Sequence, residues 1–377
     1  MKFPLRSVDW LVLLCHASDE HNMIHFKDKP MKKKTIRVKI IGAILIVFTL
    51  VIELLSPTWT PKIKGNNSVS ELRKVQINGT DIEMMIRGNN KDNPVIIFVH
   101  GGPCCSEIPY VRKYQDTLEK SFTIVHYDQR GSGKSYEFGN DYSDVTASTH
   151  VSDLTALTQY ILAYLHKEKV ILIGHSYGTY IATMAASQHP EMYLAYIGIG
   201  QMSDTIESEL DGLERCIEAA RNAGNEDDLK ILCALTDSIL QGKAITPRKY
   251  LRKYGFAVRQ ISDNADYWIG YFFGTEYNLT DAIRLYVASI KYQDTLILEA
   301  LNKPITEIVD TLDIPVYFVM GAYDGMTSPN AAEGYLNGLT GEAIHEIVMF
   351  ENSAHYPQFE EPAKFNEWMC SIWGTDN

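Results

Sequence analysis

The sequence lacks the cysteine pattern of a metal site. Its six cysteines stand at 15, 104, 105, 216, 233 and 370, with no CxxC pair and no histidines interleaved at ligand spacing, which argues against structural zinc. A disulfide framework is not indicated either: Cys216 and Cys233 could pair if two helices bring them together, but buried free thiols are the preferred reading. Basic residues are also short, with 35 Lys and Arg against 47 Asp and Glu and a formal charge of −12. That balance argues against nonspecific nucleic-acid or anionic-lipid partners, which need a local excess of Lys and Arg. Internal repeats and low-complexity tracts are missing as well. What is present is 377 residues with 45% apolar content, enough for one large core or two smaller ones.

No apolar run reaches the ~20 residues of a full membrane span. The longest is Ile40–Ile52, extended by Leu54 and Leu55 around Glu53 and preceded by Lys27, Lys29, Lys32, Lys33, Lys34, Arg37 and Lys39. Basic residues ahead of an apolar stretch are the pattern of a signal peptide or anchor, and no small-x-small cleavage site follows. The expectation is an uncleaved transmembrane helix over 38–55, with 1–37 cytoplasmic and everything after Ser56 outside; a buried core helix is the alternative. Met31-Lys32-Lys33-Lys34 looks more like the start of such a segment than Met1 does, so residues 1–30 read as an upstream extension.

Residues 56–70, with Pro57, Pro61, Gly65, Asn66 and Asn67, read as a linker. Val75–Ile86 alternates around Asn78-Gly79, a hairpin signal. Short runs rich in β-branched residues follow at Pro94–Val99, Phe122–His126, Val170–Ile173, Pro315–Met320 and His345–Phe350. Helical patterns lie between them, including Val151–Leu165 and Tyr180–His189. Two-sided apolar strands alternating with helices predict a mostly parallel, doubly wound α/β sheet. Strand signals disappear between Gln201 and Lys303, so 201–304 is expected as an inserted helical cap, splitting the core into 71–200 and 305–377.

Three places carry chemistry. Val170–Gly178 runs a strand straight into Gly174-His175-Ser176-Tyr177-Gly178 and then a helix, the context a nucleophile elbow requires. Its glycines are needed because side chains in so tight a turn would collide. Position 175 is wrong for a base and reads as packing in the elbow. A nucleophilic serine needs a base, and the base needs a carboxylate. Asp324 and His355 each lie just beyond a predicted strand, where open α/β sheets gather their sites; a capping aspartate and a surface histidine are the bland alternative. The order Ser176, Asp324, His355 is that of the α/β-hydrolase fold.

His100-Gly101-Gly102-Pro103 is the matching oxyanion loop, with Gly102 the preferred loop donor, Gly101 next, and the N–H of Tyr177 the second donor. His100 is expected to shape this loop. Cys104 beside it is either reactive or paired with Cys105. Asp128–Ser135 invites a phosphate-loop reading, but Asp128 occupies a position where that loop needs glycine.

Together His100-Gly-Gly-Pro103, Asp128-Gln-Arg-Gly-Ser-Gly-Lys-Ser135 and Gly174-His-Ser-Tyr-Gly178 resemble the proline iminopeptidases and their relatives, α/β-hydrolases that release N-terminal residues from peptides. The resemblance covers roughly 75–200 and 305–370. It departs where Cys104-Cys105 replace the usual glycine and where the elbow reads His-Ser-Tyr rather than Gly-Ser-Trp. It implies acyl transfer to Ser176 without metal or cofactor, on peptide or small amide and ester substrates, with cap carboxylates meeting a free amine. Glu207 is the expected anchor; on a helix it shares a face with Asp211 and Glu214, though acids in a first turn also simply favour the helix dipole. Tyr267, Trp268, Tyr271, Phe272, Phe273 and Tyr277 either wall a pocket or form cap core. A small-ester or lactone hydrolase and a non-catalytic cell-surface binding protein are the competing functions. Epoxide hydrolase chemistry would need a carboxylate where Ser176 stands. Oligomeric state is not legible.

Overall fold

The computed structural model describes residues 33–341 and 343–374. It divides into a unit ending at Ser56 and a larger one from Pro57 onward. In the first, Lys33–Leu55 is a helix. The expected membrane span and extracytoplasmic placement need correction: among the described residues no helix is long and apolar enough to cross a membrane. The apolar run Ile40–Ile52 is bounded by Lys39 and Glu53; at 1.5 Å per residue it covers roughly 20 Å against a hydrocarbon core of about 30 Å. The proposed upstream extension, residues 1–30, lies outside the described residues.

The second unit begins with the expected hairpin. β1 (Val69–Ile77) and β2 (Thr80–Gly88) pair antiparallel with Ile77 opposite Thr80. Asn78 and Gly79 take φ of 46° and 76°, the left-handed pair that a tight two-residue turn demands. β3 (Val95–Val99), β4 (Thr123–Tyr127), β5 (Val170–His175), β6 (Tyr193–Ile199), β7 (Val316–Gly321) and β8 (His345–Phe350) complete an eight-stranded sheet of order β1-β2-β4-β3-β5-β6-β7-β8. From β4 to β8 every neighbouring pair is parallel.

Both faces of the sheet's centre are covered, which is why β3 and β7 are apolar and buried along their whole length, while the edge strands β1 and β8 carry polar residues. Val95, Ile97 and Val99 of β3 and Leu172 of β5 face a core shared with helices Ala147–Tyr164, Tyr177–Gln188 and Pro329–Gly338. Ile96, Phe98, Ile171 and Ile173 face Phe365 and Met369 of helix Pro362–Trp373. In helix Ala147–Tyr164, Val151, Leu154, Leu157 and Ile161 are the buried stripe at three- and four-residue spacing. Thr146 caps that helix, accepting from the N–H of Thr149, whose hydroxyl bonds back to the N–H of Thr146.

β6 is the strand that sequence pattern missed. It lies in the middle of the sheet, between β5 and β7, and its Tyr-rich stretch lacks the compact β-branched run of its neighbours.

Between β6 and β7 the chain inserts six helices, from Thr205–Asn222 to Leu279–Asn302. Leu213, Cys216, Leu232, Tyr250 and Leu251 give part of this insertion a core of its own. Another part packs on the main body: Tyr271, Tyr277 and Leu285 cluster with Ile108, Tyr110 and Val111. The first helix comes so close to the loop after β7 that a Cβ on Gly212 would meet the carbonyl oxygen of Gly325 at 2.2 Å.

Candidate active site

The candidate residues Ser176, Asp324 and His355 each follow a parallel strand, β5, β7 and β8, and so lie at the carboxyl edge of the sheet. Ser176 directly follows β5 and opens helix Tyr177–Gln188 with φ 55° and ψ −126°, a conformation costly for a residue with a Cβ. Its N–H donates to the carbonyl of Ile199 at 2.9 Å, and its carbonyl accepts from Thr179 N–H at 2.8 Å. The flanking glycines are explained by what a Cβ would strike. At Gly178 it would stand 2.0 Å from the carbonyl oxygen of Val99, and at Gly174 2.7 Å from that of Gly178. The turn is therefore clamped between β3 and its own helix.

Asp324 and His355 come together from the loops after β7 and β8. Nδ1 of His355 lies 2.8 Å from Oδ2 of Asp324, and both side chains are fully buried. Asp324 also accepts from the N–H groups of Met326 and Thr327, at 2.8 and 2.9 Å, and from the Thr327 hydroxyl at 2.7 Å. Burial would raise its pKa, but the His355 contact and the Thr327 donors outweigh it and hold the carboxyl below its usual value. Burial likewise lowers His355, and the nearby carboxylate offsets this only in part. With Nδ1 committed to Asp324, Nε2 of His355 is buried without a hydrogen-bond partner.

The His100 loop stands over Ser176. A Cβ on Gly101 would lie 2.8 Å from Cβ of Ser176, and Gly102 takes φ 115°. Nδ1 of His100 bonds the carbonyl of Gly101 at 2.9 Å, and its Nε2 accepts from Gln129 N–H at 3.2 Å. Burial lowers the pKa of His100 to about 4, so this ring is neutral and fixes the loop. Tyr177 N–H is in the first turn of its helix, among the groups with no intrahelical acceptor.

Asp128–Ser135 is a turn organised on Asp128, not a phosphate cradle. Oδ2 of Asp128 accepts from Lys134 N–H at 2.6 Å and from the Tyr277 hydroxyl at 2.5 Å. The Lys134 ammonium is committed to Glu83 at 2.7 Å. Cys104, Cys216, Cys233 and Cys370 are free thiols. Cys104 is buried, which pushes its pKa up and makes the thiolate unfavourable; Cys105 is the partly exposed member of the pair.

In the insertion, Glu207 is exposed in the first turn of helix Thr205–Asn222, whose cap Asp204 accepts its N–H at 2.8 Å. Asp211 pairs with Arg215 at 3.0 Å and Glu214 is exposed. The acid that turns inward is Glu209, held by Arg248 at 2.6 Å and by Thr246 N–H at 2.8 Å. The aromatic run splits by face: Tyr267, Tyr271 and Tyr277 pack inward against the 108–111 loop, while Trp268 and Phe273 are exposed.

Sequence reasoning missed Thr327, Gly200 and Glu107. Gly200 directly follows β6, and a Cβ there would stand 2.9 Å from the His355 ring. Glu107 is a lone carboxylate immediately before the apolar stretch Ile108–Val111, which was the available signal. It lies 2.7 Å from Nδ1 of His175.

A family model described as the alpha/beta hydrolase fold matches residues 94–362. This chain belongs to the α/β-hydrolase family. Within it, the hydrolase is similar to the proline iminopeptidases. It is 28% identical over 312 residues to a probable aminopeptidase, YbaC, of Bacillus subtilis, covering 80% of this chain and 96% of that protein. It is 23% identical over 296 residues to a proline iminopeptidase of Saccharolobus solfataricus, covering 75% and 84%. The crystal structure of a proline iminopeptidase-related protein from Thermus thermophilus matches with a TM-score of 0.54 at 21% identity, over 81% of this chain and 99% of that one. The last likeness is one of fold.

Proposed function

We propose that this hydrolase acts by acyl transfer through Ser176, His355 and Asp324, and that it is an exopeptidase releasing N-terminal residues. The observation that carries the reading is the His355–Asp324 contact of 2.8 Å, which leaves the other ring nitrogen buried and unpartnered beside the elbow. In this reading Asp324 fixes the neutral tautomer with Nδ1 protonated. Nε2 then takes the proton of Ser176 Oγ as the oxygen attacks the substrate carbonyl. The oxyanion that forms is met by the N–H groups of Gly102 and Tyr177. His355 returns the proton to the leaving amine, and water, activated the same way, releases the acyl-enzyme.

The peptidase part draws on the relatives named as aminopeptidase and proline iminopeptidase. A substrate with a free α-amine calls for a carboxylate, and Glu207 at the exposed start of the cap is the proposed group. A panel of aminoacyl anilides and p-nitrophenyl esters tests this. Turnover of aminoacyl anilides that is lost on N-acetylation supports the exopeptidase; turnover confined to esters without a free amine assigns a small-ester hydrolase instead. Glu207→Gln raises KM for the anilides with kcat little changed if this carboxylate holds the amine.

A further inference from the structure

The residue before Ser176 sits in a second acid–imidazole pair that the reaction steps do not use. Glu107 Oε1 lies 2.7 Å from Nδ1 of His175, and both side chains are buried. The other nitrogen of His175, Nε2, lies 3.0 Å from the backbone carbonyl oxygen of His355. The two imidazole rings stand 5.0 Å apart, and Tyr356 packs on both. An imidazole bonded at one nitrogen to a carboxylate and at the other to a carbonyl donates from both, and only the protonated ring has two N–H groups.

We propose that Glu107 and His175 form a buried ion pair that positions His355 through its backbone carbonyl and keeps a positive charge beside its ring, making both of them positioning residues for the reaction. The surroundings favour the charged pair. Burial alone would lower the pKa of His175, but the Glu107 carboxylate outweighs it and the net direction is upward. Glu107 is itself held below the ordinary carboxylate value, burial notwithstanding. The other imidazoles facing Glu107 are His100 and His126, both lowered by burial to about 4 and therefore neutral; His126 is bonded to Gln115 at 2.8 Å. The charged groups acting on His355 are Asp324, His175 and Arg248, and Arg248 is neutralised by Glu209. A cation at His175 disfavours a second cation at His355. It thereby keeps the base free of its proton at lower pH than a neutral neighbour would.

The inference rests on the Ser176 reading, and the test separates the two. The rate of phosphonylation by an alkyl fluorophosphonate is measured against pH for the full-length wild type and for Glu107→Gln, a shape-preserving change whose folding is checked by near-ultraviolet circular dichroism. Loss of the ion pair is expected to move the acid limb upward by roughly half to one pH unit, so that labelling slows by about three- to tenfold well below the limb, by less near it, and converges at pH 9. A variant slower at every pH with an unmoved limb overturns the proposal. A wild type that does not label at all overturns the Ser176 reading instead. Should the variant not fold, imidazole ¹⁵N spectra of the wild type decide: two N–H protons on His175 at pH 7.5 support the ion pair, and a neutral ring at that pH overturns it.

Discussion

Gly200 lies against the imidazole of His355: a Cβ at position 200 would stand 2.9 Å from both Cε1 and Nδ1, and 3.2 Å from the Thr327 hydroxyl. The end of β6 therefore sets the position of a ring carried by the loop after β8. Gly200 also has φ of 54°, which a side chain disfavours. Gly200→Ala is predicted to lower kcat/KM by about a hundredfold, the effect of displacing a reacting group by around 1 Å. Its melting temperature should fall by only a few degrees. Steady-state kinetics beside a thermal melt check this.

Asp324→Asn should keep the fold and lose the chemistry. The amide can still accept from Met326 and Thr327 N–H but cannot hold the imidazole with Nδ1 protonated or stabilise its cation. A drop in kcat of about 10⁴ with KM little changed is expected. Single-turnover kinetics on an activated ester measure it.

The pH profile follows from His355. Burial holds it below the ordinary imidazole value, and the base is active only when neutral. The acid limb of kcat/KM should therefore fall below about pH 6.5, the unperturbed midpoint. A limb above that value would mean that burial does not dominate at this ring.

Asp128 predicts a pH dependence of stability. Desolvation raises its pKa to about 7 despite the hydrogen bonds from Tyr277 and Lys134 N–H. The folded value is above the unfolded one of about 3.9, so folding favours the protonated form. That contribution is complete below about pH 4 and is lost as pH rises through about 7. Asp128→Asn keeps an acceptor for both donors and removes the titration. Its stability loss between pH 5 and pH 8 should be smaller than that of the wild type by on the order of 1–3 kcal/mol, read from denaturant melts at the two pH values.

Much of this site was legible because its parts obey strong local rules. The elbow announced itself through glycines at 174 and 178 that nothing larger can replace, and Asp324 and His355 through their places after apolar strands. What stayed hidden depends on neighbours distant in sequence. Gly200 matters only because β6 lies between β5 and β7, and β6 was not read as a strand. Glu107 gains its meaning from His175, whose spacing to Ser176 says nothing about a partner 68 positions away. The acids of the first cap helix illustrate the opposite failure. Periodicity groups Glu207, Asp211 and Glu214, whereas burial and an arginine single out Glu209. At the amino terminus, composition suggests a membrane span, but among the described residues no helix is long and apolar enough to cross a membrane.

The central claim, that Ser176 is the nucleophile, is tested most directly by fluorophosphonate labelling followed by peptide mass spectrometry on the wild type and on Ser176→Ala. The account predicts one phosphonyl adduct per chain, on the peptide bearing Ser176, with none on the variant. A wild type that stays unlabelled, or a variant that labels equally well, would contradict it.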